Sequence, residues 1–169
     1  MLTLKSKAEI YEQRSRHLII DDLLTVVIPW PKTGNNLGTL ARTCDALNMG
    51  MVVPDNAIAT RVLRNGDTGK YAKRLAKMVD NPLRWIAEQK SEGCKIIGVE
   101  LVNGSKPLKA VTAAQQRTVV VVGNEAHGIP QQHFHLFDEF IEIPMMGVGN
   151  SLNVSNAATL VLYKLAGLS

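Results

Sequence analysis

Residues 118–128 read TVVVVGNEAHG: Thr118 to Val122 are strand-forming residues with no alternating polar face, and they run directly into a polar turn bounded by glycines. A strand that is apolar on both sides belongs in a parallel sheet covered by helices on both faces. Working outward, Lys95 to Leu101 (KIIGVEL) and Glu139 to Ile143 have the same character, and Leu23 to Trp30 (LLTVVIPW) is an apolar run stopped by two prolines. Met51-Val52-Val53-Pro54 predicts one more short strand. Between these runs the apolar spacing turns helical. Leu37, Leu40, Ala41, Cys44 and Leu47 share a face that ends near Gly50. Residues 55–69 read as loop, with turn signals at Asn65-Gly66 and Thr68-Gly69, and Lys70 to Val79 reads as a basic amphipathic helix. Pro82 and Gly93 bracket a further helix, and Ser151 to Ala166, with Ser151 as its cap, is the most apolar one. The alternation predicts an α/β fold: a mostly parallel sheet with helices on both faces, in a single domain over residues 21–169 preceded by an N-terminal arm or helix over 1–20.

Composition narrows the function. The 169 residues are 46% hydrophobic and 20% charged, enough apolar surface for a packed core and too much for disorder. No apolar run reaches the roughly 18 to 20 residues that cross a bilayer. Lys5, Lys7, Glu9, Glu12, Arg14 and Arg16 are incompatible with a signal peptide, so no membrane partner and a cytoplasmic location are expected. Cys44 and Cys94 lie far apart without a CxxC pattern, and His17, His127, His133 and His135 have no ligand spacing, so no metal is expected. Eight basic and three acidic residues between 61 and 90 leave a local excess of +5 in a chain whose formal charge is +4. Such a stretch is either a footprint for a polyanion such as RNA or a solvated helix face, and charge alone favours the latter.

Ligands of open α/β sheets collect beyond the carboxyl ends of the strands, where three segments carry polar residues and glycines. The first is Asn35-Asn36-Leu37-Gly38 with Arg42. A phosphate or ribose would suit these helical turns, although Asn36 as a cap and Arg42 paired with Asp45 or another carboxylate explain the same residues. The second is Gly123 to Gly128, where bare amides flank Glu125 without the spacing of a dinucleotide or phosphate loop. The third is Met145 to Asn153, whose methionines and bare backbone suit a flat apolar group such as adenine. Asn153 and Asn156 stand out in an apolar helix, because buried amides need partners.

Taken in order, Asn36-Leu37-Gly38-Thr39-Leu40-Ala41-Arg42 (NxGxxxR), VVVVGNEAHGIP at Val119 to Pro130, and IPMMGVGNSLNVSNAA at Ile143 to Ala158 resemble the signature of the SPOUT superfamily, specifically the SpoU-like tRNA/rRNA ribose 2'-O-methyltransferases. The resemblance implies a C-terminal trefoil knot, against the general rule that chains are unknotted, and a homodimer with its sites near the interface. It implies S-adenosyl-L-methionine as cofactor, S-adenosyl-L-homocysteine as product and RNA as partner. Cofactor contacts would come from Val99, Gly123, Ile143, Met145, Ser151 and Leu152, and the catalytic set would be Asn36, Arg42, Glu125 and Asn153. Arg42 would activate or position the ribose, with Glu125 holding it or receiving a proton through water. Guanidinium, with a pKa above about 12, is better suited to positioning. The catalytic dimer would itself contact RNA through Arg61, Arg64, Lys70, Lys73, Arg74 and Lys77, since the separate RNA-binding domain of larger relatives is lacking. The minimal form favours tRNA over rRNA. A base methyltransferase and a non-catalytic RNA-binding protein on the same fold are the alternatives. Many relatives have Asp-Pro or Asn-Pro where this chain has Thr33-Gly34, so the loop before the first motif is expected to differ.

Overall fold

The computed structural model describes residues 4–6, 8–9, 20–64, 72–149 and 151–168. Most of the expected N-terminal arm, His17, the turns at Asn65-Gly66 and Thr68-Gly69, and Lys70 lie outside the described residues. Among the described residues, seven strands form one sheet: β1 (Asp21–Val27), β2 (Met49–Pro54), β3 (Ala76–Val79), β4 (Lys95–Val99), β5 (Lys106–Pro107), β6 (Thr118–Val122) and β7 (Glu139–Glu142). Their order is β3-β2-β1-β6-β4-β7-β5, and every neighbouring pair is parallel. Among the described residues, the four longer helices are α1 (Gly34–Leu47), α2 (Ala57–Arg64), α3 (Pro82–Ser91) and α4 (Val154–Leu165).

The continuous apolar strands are buried on both sides because alternate residues serve two cores. Val26, Met51, Val53, Ile97, Val120 and Val122 point to one face, where α1, α2 and α4 cover them. Val27, Val52, Ile96, Val119 and Val121 point to the other, against Ile86 of α3 and the 3-10 segment Gln131–Leu136. Each fully buried aliphatic side chain contributes about 1.5–3 kcal/mol, so the inner strands hold the layers together. Cys44 belongs to the first core, and burial pushes its thiol up to about 12, which makes it an apolar filler. The two helices that frame the site are tied by a Thr43–Thr159 hydroxyl pair at 2.8 Å.

Several local expectations are corrected. α1 ends at Asn48, whose φ of +53° takes the left-handed cap that Gly50 was expected to supply, and Gly50 lies inside β2. The expected loop over 55–69 contains α2, capped by Asn56 Oδ1, which accepts from the Ala59 amide at 2.9 Å. Of the described part of the expected helix from Lys70 to Val79, residues 72–75 are helical and Ala76–Val79 form β3, because pairing with β2 along Met51 to Pro54 outweighs local preference. Asn153 caps α4, in place of Ser151.

Candidate active site

β6, β4 and β7 are adjacent, so their carboxyl ends open onto one cleft of about 520 Å³. Val99, Gly123, Ile143, Met145, Ser151 and Leu152 all line it, as do Asn36, Glu125 and Asn153. The three sequence segments therefore converge on one place. Met145 faces the cleft while Met146 is 98% exposed, so only one of the two methionines expected against an apolar ligand lines it.

The polar residues form a chain with a single direction. Asn153 Oδ1 accepts from the Ser155 amide at 3.0 Å, the Ser155 hydroxyl at 2.6 Å and the Asn156 amide at 3.3 Å, all in the first turn of α4. Its Nδ2 donates to Asn36 Oδ1 at 2.9 Å, and Asn36 Nδ2 donates to Glu125 Oε1 at 2.9 Å. A carboxylate only accepts, so Asn36 must turn its NH2 toward Glu125, and its carbonyl is then left for Asn153. Glu125 also accepts from the amides of Lys32 at 3.0 Å and Thr33 at 3.3 Å, and from the Thr33 hydroxyl at 3.4 Å. Partial burial pushes the Glu125 carboxyl up, but the Asn36 amide, its own backbone and the Lys32 and Thr33 amides together hold it below the usual carboxylate range. It is an ionised acceptor at neutral pH. Asn36 is thus no helix cap, and Asn153 and Asn156 are exposed, against the expectation that their amides are buried.

The turn that presents Glu125 rests on residues missed in the sequence. Asn124 Nδ2 donates to the Trp30 carbonyl at 3.0 Å, while its Oδ1 accepts from the Ala126 and His127 amides at 2.9 and 3.3 Å. Glu100, which follows β4, accepts from the Ile129 amide at 2.8 Å and the Leu101 amide at 3.0 Å, tying the turn to the neighbouring strand. The signal for Glu100 was a carboxylate immediately after an apolar strand. Glu100, Glu125 and Glu142 all line the cleft, and among the described residues neither lysine nor arginine does.

Arg42 is elsewhere. Six residues leave an α-helix about 120° short of two full turns, so Arg42 lies off the Asn36 face. It lines a second cleft, of about 630 Å³ between α1 and α2, with Lys32, Asn35, Thr39 and Arg61. Asp45, the partner considered for Arg42, instead pairs with Arg74 at 3.2 Å, and Arg74 also donates to Asn48 Oδ1 at 3.0 Å. The basic stretch does not form one face: Arg61 enters the second cleft, Arg74 is held by α1, and Lys77 on β3 lies over the Trp85 ring at 5.9 Å. Arg64 and Lys73 are exposed. Among the described residues, no group of three His, Cys, Asp or Glu side chains could hold a metal ion, and no helix is long and apolar enough to cross a membrane.

The model of the SpoU rRNA Methylase family matches residues 23–163. The chain is similar to the tRNA (guanosine(18)-2'-O)-methyltransferase of Aquifex aeolicus, with 32% identity over 165 residues, 95% of this chain and 74% of that protein. It is also similar to the 23S rRNA (guanosine(2553)-2'-O)-methyltransferase RlmP of Bacillus subtilis, 32% identical over 136 residues, which are 78% of this chain and 53% of that one. The chain therefore spans about three-quarters of the first relative and about half of the second. Among solved structures, the A. aeolicus TrmH/SpoU tRNA modifying enzyme matches with a TM-score of 0.79 and 29% identity over 95% of this chain and 83% of that one. The SpoU methyltransferase AviRb from Streptomyces viridochromogenes, solved in complex with AdoMet, has the same fold, with a TM-score of 0.67 and 24% identity over 90% of this chain and 62% of that one.

Proposed function

The chain belongs to the SpoU rRNA Methylase family, and from that premise we infer that it transfers a methyl group from S-adenosylmethionine to a ribose 2'-hydroxyl of RNA, releasing S-adenosylhomocysteine. The observation that carries the reading is the one-directional chain of hydrogen bonds from α4 through Asn153 and Asn36 to Glu125 at the wall of the cleft. The cleft fits the cofactor. Its volume is in the range of small-molecule sites, Val99, Ile143 and Leu152 offer apolar contact, and three carboxylates suit a ligand with a positive centre.

S-adenosylmethionine, when bound, supplies an electrophilic methyl on a sulfonium. The chain's own task is to orient a weakly acidic hydroxyl and to stabilise the charge that develops on its oxygen. Glu125 already accepts from several donors and sits below its ordinary range, so it is a poor base. Its part is to hold Asn36 and the Lys32–Thr33 turn in register, and the proton of the 2'-hydroxyl leaves to solvent water as the O–CH3 bond forms and the S–CH3 bond breaks. Arg42 positions the ribose and its adjoining phosphate through its forked guanidinium donors. Support for that role is its company in the second cleft, with Lys32 and Arg61.

We propose tRNA ahead of rRNA, supported by similarity along 95% of the chain to a tRNA methyltransferase. The same reading includes cytoplasmic location, a C-terminal trefoil knot, RNA contacts from the basic residues of 61–77, and a homodimer in which Arg42 of one protomer serves the cofactor cleft of the other. An exposed stripe on α4, Asn156 with Leu160 at 45% exposure, supports the dimer. The test is transfer from labelled S-adenosylmethionine to unmodified tRNA and rRNA pools, followed by alkaline digestion. Label in alkali-resistant dinucleotides of tRNA is the expected result. Label on a base, or no transfer to either pool, would reject the reading.

A further inference from the structure

We propose that the second cleft is a binding site for the phosphodiester backbone of the RNA strand beside the modified nucleotide, with Lys32 and Arg61 as its phosphate-binding side chains. This rests on the reading of the chain as an RNA methyltransferase. Among the described residues, two clefts of similar size carry opposite charge. One is lined, among the described residues, by Glu100, Glu125 and Glu142 without a lysine or arginine, and the other by Lys32, Arg42 and Arg61 without a carboxylate. A cavity lined by one sign of charge concentrates ligands of the opposite sign.

Some basic side chains on this surface are already spent in ion pairs. Arg74 is held by Asp45, Arg84 by Glu88, Lys90 by Asp138 and Lys95 by Glu139, at 3.0 to 3.8 Å. Among the described residues, Lys32 and Arg61 have no such partner although both are exposed. The cations are also spread out. Lys32 precedes α1, Arg42 lies about 12 Å along its axis from Gly34 at 1.5 Å per residue, and Arg61 comes from α2. That spacing suits successive phosphates of a strand better than one small anion. Asn35 and Thr39 add polar contacts, and Ile58 and Val62 give an apolar wall against which a sugar can rest.

The two clefts are mechanically joined. The Lys32 amide donates to Glu125, so the side chain that would bind a phosphate and the carboxylate at the cofactor cleft belong to one hydrogen-bonded turn.

The experiment is equilibrium filter binding of an unmodified tRNA pool over a range of salt, for wild type, Lys32→Ala, Arg61→Ala and the double variant. Each single change is expected to weaken binding roughly fivefold to tenfold near 0.1 M salt. Each should also flatten the dependence of log affinity on log salt by about 0.7–0.9. Calorimetric S-adenosylmethionine affinity should stay within about twofold. Lys32→Arg and Arg61→Lys should keep the wild-type slope, which separates loss of charge from loss of fold. A double variant with wild-type affinity and slope would overturn the proposal, as would a wild type without salt-dependent RNA binding. Because the readout is binding, its failure is distinct from failure of the enzyme reading: methyl transfer with an unchanged double variant removes only the cleft assignment. A salt slope that drops in the variants, beside a wild type that transfers nothing, removes only the enzymatic one.

Discussion

Glu125 shows how much of this site is decided by a single group. Its carboxylate closes the turn at Lys32–Thr33 and fixes the orientation of Asn36. Glu125→Gln keeps the shape but replaces one oxygen with a donor that faces donors. We expect a loss of about 1–2 kcal/mol in stability and roughly a hundredfold drop in transfer, as for removal of a preorganised polar group. The pH dependence has a definite sign. The folded carboxyl is held below its ordinary value of 4.5, so its contribution is complete above that value and fades as pH falls through the lower folded one. The gap in melting temperature between wild type and Glu125→Gln should be widest at neutral pH and shrink below about 4.5; a gap that grows on acidification would contradict the assignment. Gly123 is a second decisive position. A Cβ there would lie 2.5 Å from the Gly128 carbonyl carbon and 2.8 Å from the Ile129 nitrogen, both backbone atoms. In the sequence this glycine read as room for a ligand, whereas the structure uses it for the chain's own return, closed by the paired Asn124 and Gly128 backbones at 2.9 and 3.0 Å. Gly123→Ala should cost about 1–3 kcal/mol, read by chemical denaturation, and weaken calorimetric cofactor binding at least several-fold.

At the scale of elements, α4 begins where the site is built, and Asn153 does two jobs that can be separated. Its Oδ1 caps the helix and its Nδ2 reaches Asn36. Asn153→Asp retains the acceptor and loses the donor, so the melting temperature should stay near wild type while transfer falls by roughly tenfold or more. Asn153→Ala should lose transfer and also about 1 kcal/mol of stability. Equal melting temperatures for the two variants would show that the cap carries no weight. The same helix marks what was legible in advance. Its apolar face, with Ala158, Val161, Leu162 and Leu165 inward, followed from spacing, as did the buried face of α1. Its start did not: Ser151 and Asn153 are both good caps, and only contact with Asn36, 117 residues away, selects between them. β3 was read as helix because Ala76-Lys77-Met78-Val79 has little local strand preference, and its identity comes from pairing with β2. α2 was legible in principle, from Asn56 as cap with Ala59 and Leu63 on one face, but was hidden by the turn signals that follow it. The residues lining the first cleft were named through the family resemblance of three strand-end motifs, while Asn124 went unread and Glu100 was marked only by its place as a carboxylate directly after an apolar strand.

For the whole molecule, the separation of Arg42 from the cleft that holds Asn36, Glu125 and Asn153 is the feature with the largest consequence. If methyl transfer needs both, a two-fold dimer can bring the Arg42 cleft of one protomer against the cofactor cleft of the other, so that each site draws on two chains. The RNA strand would then lie along Lys32 and Arg61 of one protomer and deliver its ribose to the methyl group held by the partner. This makes a complementation experiment decisive. Arg42→Ala alone should lower transfer by roughly a hundredfold or more while cofactor affinity stays within a few-fold, because Arg42 does not line the cofactor cleft. Glu125→Gln alone is also impaired. A heterodimer of these two chains, isolated with two affinity tags, contains one site carrying both lesions and one carrying neither. Its activity should therefore return to about half that of wild type. Were Arg42 to serve the cleft of its own chain, both sites of the heterodimer would be damaged and its activity would stay near the mean of the two impaired parents.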